Sequence, residues 1–379
     1  MKIYRIFLFF LLISGNLLWS QNEYDSLINK GIKHIYNVEF EEASVAFNKL
    51  KQAYPEKPAG LFMEAMTLWW EILLDLKNEE KDDLFNDKIE QVVDFCDEIL
   101  DEDELNSDAL FFKGGALGFR GLLNSVRKNW FDAAGDGADA LPLVNKVYEI
   151  DSTNIDVRLG FGIYNYFAET LPEKYPVAKP LLFFIPEGDK KQGLADLKNV
   201  SENGKYTSVE ARFTLGKVYY LYEKDYNTAI SYFRNLHKEF PKNPVFEKYL
   251  GRSILSKQGY NAADSVFSVI LKKCKEGKRG YNLSLQREAH YYIGVKYKNM
   301  GITETALEHF ENCVTISEKI DTDDESGFWI NALLYSGMMN DLRGDREKAL
   351  SFYEEVLDKR DYKNAQERAE RFIKMPYKK

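Results

Sequence analysis

Cysteine, histidine and proline are scarce in this 379-residue chain, at three, four and ten. Three cysteines cannot build a disulfide framework. The histidines, His34, His237, His290 and His309, stand far apart, and neither His-Glu-x-x-His nor Cys-x-x-Cys occurs, so a zinc site lacks its usual ligand spacing. An excess of basic residues is also missing. Lys and Arg number 51 against 60 Asp and Glu, net −9, which disfavours a general nucleic-acid binder because phosphate affinity needs a basic face. No stretch beyond the N-terminus is apolar enough to span a bilayer, which takes roughly 20 residues. Strand-type alternation, the mark of a membrane barrel, is absent. The glycines at Gly114, Gly115, Gly118 and Gly121 follow neither the dinucleotide nor the P-loop pattern. No G-x-S-x-G elbow or standout carboxylate pair marks a catalytic centre. The sequence therefore implies no enzyme, no cofactor and no metal.

What is present begins with a targeting pattern. Lys2 and Arg5 precede the apolar run Ile6–Ile13, and Ser14, Gly15 and Asn16 break it before Ser20. A positive end, a short apolar centre and a small residue at the cut read as a signal peptide over residues 1–20, cleaved near Ser20. The expected location is exported, periplasmic or at the cell surface, with no stable membrane span after cleavage.

The remainder carries an internal repeat. Gly31 precedes Ala43 by 12 residues, as Gly251 precedes Ala263, Gly294 Ala306 and Gly337 Ala349; Gly216 and Ala229 are 13 apart. Four residues after each alanine stands an aromatic: Phe47, Phe233, Phe267, Phe310 and Tyr353. Three further on come Leu50, Leu236, Ile270, Cys313 and Val356. This spacing describes antiparallel helix pairs whose small residues let two backbones approach, with the aromatic filling the gap to the next pair. Gly259, Gly301 and Gly344 fall in the turns, and Pro55 and Pro241 end second helices.

The pattern resembles the tetratricopeptide repeat, a helix–turn–helix unit stacked in arrays. Ala229 and Ala263 keep the family's 34-residue step, whereas the next two steps are 43. Tyr219 and Tyr297 keep a first-helix tyrosine that His34, Ile254 and Asn340 replace, and Lys275, Glu318 and Asp361 occupy the expected proline position. The resemblance implies an all-α fold, an α-solenoid with a right-handed superhelix of about eight helix pairs. Degenerate pairs are expected over residues 21–206, the clearer array over 207–363, and a capping helix with a basic tail over 364–379. In the degenerate part, Pro58–Leu76 with Leu84–Leu100, Ser107–Leu123 with Trp130–Ile150, and Asp156–Thr170 with Gln192–Val200 read as pairs. A proline-rich insertion at 171–189 interrupts the last. Acidic stretches at Asp132–Asp139 and Asp321–Glu325 read as solvated turns.

The resemblance also implies protein–protein interaction through the concave wall of first helices. Transferred by register, the groove residues are Phe213, Lys217, Tyr220, Lys248, Arg252, Tyr291, Lys298 and Asn299. Such a basic-aromatic strip suits a peptide carboxylate or acidic side chains. The leading expectation is a non-catalytic scaffold binding a protein or peptide, within an envelope complex. One alternative is a ligand receptor or enzyme with 171–189 as a lid and Tyr164, Tyr166, Tyr175, Glu169 and Glu173 beneath it. The other is a structural spacer or homo-oligomer.

Overall fold

A computed structural model describes residues 22–174, 187–322 and 324–378. The signal-like segment 1–20 and residues 175–186 of the insertion, Tyr175 included, lie outside the described residues. Every regular element among the described residues is helical, as the repeat spacing requires.

The chain divides into two compact units, one ending at Val218 and the other beginning at Tyr219. The first holds α1 (residues 22–36), α2 (Phe40–Ala53), α3 (Ala59–Leu74), α4 (Asp82–Glu102), α5 (Ser107–Val126), α6 (Trp130–Ile150), α7 (Arg158–Lys174), α8 (Lys190–Asn203) and most of α9 (Ser208–Leu221). The second holds α10 (Tyr226–Glu239), α11 (Pro244–Gln258), α12 (Tyr260–Lys275), α13 (Leu283–Met300), α14 (Thr303–Ile320), α15 (Gly327–Arg343), α16 (Arg346–Leu357) and α17 (Ala365–Lys374). Within each unit, helices pack chiefly on their neighbours in sequence.

The repeat residues form the core. Ala43, Ala229, Ala263, Ala306 and Ala349 are buried, as are all five aromatics and the five apolar residues that follow them. The aromatic does more than bridge to the next pair. A methyl placed on Gly31 would stand 2.1 Å from the Phe47 ring, and one on Gly337 would stand 2.4 Å from Tyr353. Phe47, Phe267, Phe310 and Tyr353 thus each lie on the glycine of their own hairpin, and glycine is there because no side chain fits freely beneath the ring. The same ring reaches onward: Phe267 sits 4.8 Å from Tyr292 and Phe310 5.2 Å from Tyr335, centroid to centroid.

Local chemistry sets the helix ends. Asn243, Asn282, Ser326 and Asp345 cap α11, α13, α15 and α16 by accepting backbone N–H groups. Gly301 and Gly344 close α13 and α15 in the left-handed region, at φ 75° and 80°. At the end of the second unit, α17 lays Ala365, Ala369 and Phe372 inward. Arg346 fastens it by donating to the carbonyls of Phe372 and Ile373 at 2.8 and 2.6 Å.

The acidic stretches correct the sequence reading. Asp132–Asp139 lies inside α6, and its Asp136 is buried, accepting from Arg120 Nε at 2.8 Å and Asn124 Nδ2 at 2.9 Å. Asp321 is likewise buried and paired with Arg287 at 2.7 Å. Both carboxylates face an arginine on a neighbouring helix, a partner that composition along the chain does not display. Among the described residues, no helix is long and apolar enough to cross a membrane.

A candidate binding face of aromatic rings and cations

The second unit gathers most of the proposed groove residues on its first helices. On α13, Glu288, Tyr291, Tyr292, Lys298 and Asn299 lie near one another because residues three, four and seven apart share a helix face. α11 supplies Lys248, Tyr249 and Arg252, α15 supplies Phe328 and Tyr335, and α17 supplies Arg368.

At the α11 end the positive charge is already matched. Arg252 makes two parallel hydrogen bonds to Glu288, Nε to Oε1 and Nη2 to Oε2, both 2.5 Å. Burial works against the guanidinium charge, but the Glu288 carboxylate more than offsets it and holds Arg252 above its ordinary pKa. The guanidinium also lies 5.7 Å over Tyr249, which meets Tyr220 edge-on at 6.0 Å. Lys248 is half-buried, its ammonium 5.5 Å from the Tyr249 centroid. Arg252 is therefore a structural tie between α11 and α13, and the expectation of a freely basic groove here does not hold.

The α13–α15–α17 end differs. Tyr291 stacks on Tyr335 at 6.2 Å with 22° between planes, and Phe328 meets Tyr291 at 5.2 Å. Two cations share the Tyr335 ring: Lys298 at 5.0 Å and Arg368 at 5.8 Å. Lys298 has Asn299 Oδ1 as its hydrogen-bond partner, at 3.2 Å, and Arg368 reaches the Met338 sulfur at 3.8 Å. Among the described residues neither has a carboxylate partner. Burial, then the neighbouring Arg368 charge, pushes the Lys298 ammonium below its usual range. Lys298, Arg368, Tyr291 and Tyr335 are all half-buried, so water reaches them. Sequence register missed Tyr335, Arg368 and Glu288. Arg368 lies in the helix read only as a cap, and Glu288 lies one turn before the positions the family pattern marks.

The first unit holds the other two residues. Phe213 is a core residue, 2% exposed and 5.4 Å from the Trp70 ring, so it lines no groove. Its neighbour Lys217 lies 4.5 Å over the Phe213 ring. The Glu210 carboxylate answers that charge while accepting from Trp70 Nε1 at 2.8 Å. Tyr36 also bonds to Glu210.

Two of the five residues named beneath a lid are already engaged. Tyr166 is fully buried, and Glu169 accepts the Lys190 backbone N–H at 2.6 Å, tying α7 to α8. Nor are the thiols activated. Burial pushes Cys96 and Cys313 up to about 12 and Cys274 up to about 11, and a thiol reacts as the thiolate.

Comparison with known proteins agrees with the helix-pair geometry. Residues 210–243 match the family model described as tetratricopeptide repeat. No curated protein sequence matches the chain. Among solved structures, the apo form of RapI is 16% identical, covering 91% of this chain and 79% of its own at a TM-score of 0.39. The C-terminal part of a TPR repeat-containing protein from Cytophaga hutchinsonii is 18% identical, covering 81% of this chain and 99% of its own at 0.37. A human IFIT1 dimer with PPP-AAAA is 17% identical, covering 84% of this chain and 68% of its own at 0.44. At such identities and TM-scores none of the three bears on what this chain binds. The hairpins with a glycine under an aromatic ring and the match over 210–243 lead to one statement: residues 210–243 match a tetratricopeptide repeat, and the described helices stack as helix pairs of that kind.

Proposed function

We propose that the protein is a non-catalytic interaction scaffold and that the α13–α15–α17 face of its second unit binds an acidic segment of a partner protein. One observation carries this reading. Lys298 and Arg368 hold two positive charges over one tyrosine ring, half-buried and without a carboxylate of their own. Keeping like charges together costs free energy, and an incoming carboxylate would relieve it through charge-assisted hydrogen bonds. Tyr291 and Tyr335 add flat, rigid contact area beside those charges. Fold alone does not assign a function, so the reading rests on this cluster.

The test is direct. Fluorescence anisotropy with a labelled Asp/Glu-rich peptide should show saturable, salt-sensitive binding. A Lys298→Glu/Arg368→Glu variant should bind at least tenfold more weakly, about 1.4 kcal/mol or more. The matched Asn/Gln peptide should bind weakly to either. Equal affinity of variant and parent would remove this face from the function.

A further inference from the structure

Charge and donor count at the α13–α15–α17 face narrow the class of anion it takes, on the footing that this is the binding face. Lys298 lies 5.0 Å and Arg368 5.8 Å from one ring centre, that of Tyr335. Burial, then the Arg368 charge, works against the Lys298 ammonium, and no carboxylate among the described residues works for it. Glu288, on the same face of α13, has both oxygens taken by Arg252. Two positive charges are left over. One carboxylate leaves one of them unanswered. A phosphate monoester carries roughly −1.5 to −2 at pH 7 and answers nearly both.

Hydroxyl donors supply a second feature. Tyr260 on α12, Tyr291 on α13 and Tyr335 on α15 are half-buried and pack on one core cluster. Tyr291 stacks on Tyr335 at 6.2 Å. Burial, with Tyr335 and Tyr260 beside it, holds the Tyr291 hydroxyl far above its ordinary pKa, so it keeps its proton. Among the described residues no carboxylate accepts from any of these three hydroxyls. A phosphoryl group offers three terminal acceptor oxygens where a carboxylate offers two, and hydroxyl-to-anion bonds are short and strong.

We infer that this face takes the phosphate of a phosphorylated residue in the partner's acidic segment. Lys298 and Arg368 bond two of its oxygens, and a tyrosine hydroxyl serves the third. The rings of Tyr291 and Tyr335 lie against the flanking peptide.

Fluorescence anisotropy on the full chain, at fixed ionic strength, tests this. One labelled acidic peptide carries phosphoserine, glutamate or serine at its centre. Phosphoserine should bind at least tenfold more tightly than glutamate. Lowering the pH from 7.5 to 5.5 protonates the phosphate, whose second pKa is about 6, and leaves carboxylates ionised. The phosphoserine advantage should then shrink about threefold. Lys298→Gln, at a half-buried side chain, should keep the melting temperature and cut the phosphoserine affinity at least fivefold. Equal affinity for the phosphoserine and glutamate peptides would overturn the inference and leave the acidic-segment reading standing. So would an advantage that neither pH nor Lys298→Gln alters. Absence of binding by all three peptides would overturn both. Free O-phosphoserine or a 5′-phosphorylated oligouridylate binding as tightly as the phosphopeptide would move the source away from a protein partner and also overturn the inference.

Discussion

At the scale of single residues, glycine under an aromatic ring is the device that sets the helix spacing. Replacing Gly337 by alanine forces a methyl to within 2.4 Å of the Tyr353 ring. Tyr353 cannot retreat easily, because it is fully buried and its hydroxyl bonds to Asp341 at 2.8 Å. Overpacking of this kind costs about 1–3 kcal/mol. Urea denaturation of Gly337→Ala should show a loss of that size, and Tyr353→Leu in the same chain should return part of it because the two sites share one space. Additive losses would mean that the ring does not rest on this glycine. The charged residues teach the opposite lesson. Arg252 looks like a ligand-binding cation from register alone, yet Glu288, 36 positions away, already occupies it. Charge along a sequence does not show where the counter-charge folds back.

At the scale of elements, α13 and α14 are joined by a histidine pair. Nδ1 of His290 and Nδ1 of His309 lie 3.0 Å apart, so one donates and the other accepts, which requires the accepting ring to be neutral and excludes a doubly protonated pair. Tyr297 stacks on His309 at 5.9 Å. Burial first, then the His309 and Lys275 charges, pushes His290 down to about 4. Burial, with Lys275 and Lys296, also lowers His309 against the pull of Glu308 and Asp264. The folded state therefore binds fewer protons than the unfolded chain between the ordinary histidine value and the depressed one. Stability is fully present above about pH 6.5 and declines as the pH falls toward 4, by about 2–3 kcal/mol. Urea midpoints measured from pH 7.5 to pH 5, above the range where carboxylates titrate, should fall steadily. His309→Gln should flatten that slope, and an unchanged slope would show that the pair does not control it.

The helices themselves were largely legible in the sequence. Small residues at 12-residue spacing and rings four beyond the alanine describe contacts within one hairpin, and such contacts leave a periodic trace. The α13–α15–α17 face was half legible. Tyr291 and Lys298 fall on repeat positions, while Tyr335 and Arg368 come from later elements and share no period with them. A cavity of about 310 Å³ in the first unit was invisible. It is assembled from Tyr24, Asp108, the 151–156 turn and Tyr206, points joined only by folding.

At the scale of the whole molecule, the stabilising contacts run mainly between helices adjacent in sequence. Stability in such arrays is a sum over neighbours, and cooperativity can fail between distant parts. Among the described residues the tryptophans divide unevenly: Trp69, Trp70 and Trp130 lie in the first unit and Trp329 in the second. Tryptophan emission therefore weighs the first unit more heavily, whereas far-ultraviolet circular dichroism reports helices throughout. The two probes should give different denaturation midpoints, and coincident curves would show a single cooperative block.

The final helix gives the array its boundary. Each hairpin offers an apolar flank suited to receive another, and that invitation ends where α17 covers Tyr353 and is tied down by Arg346. A chain shortened before Ala365 would present a docking flank with no occupant of its own. Its most available substitute is the same flank on a sister molecule, so this short helix guards against tail-to-tail association.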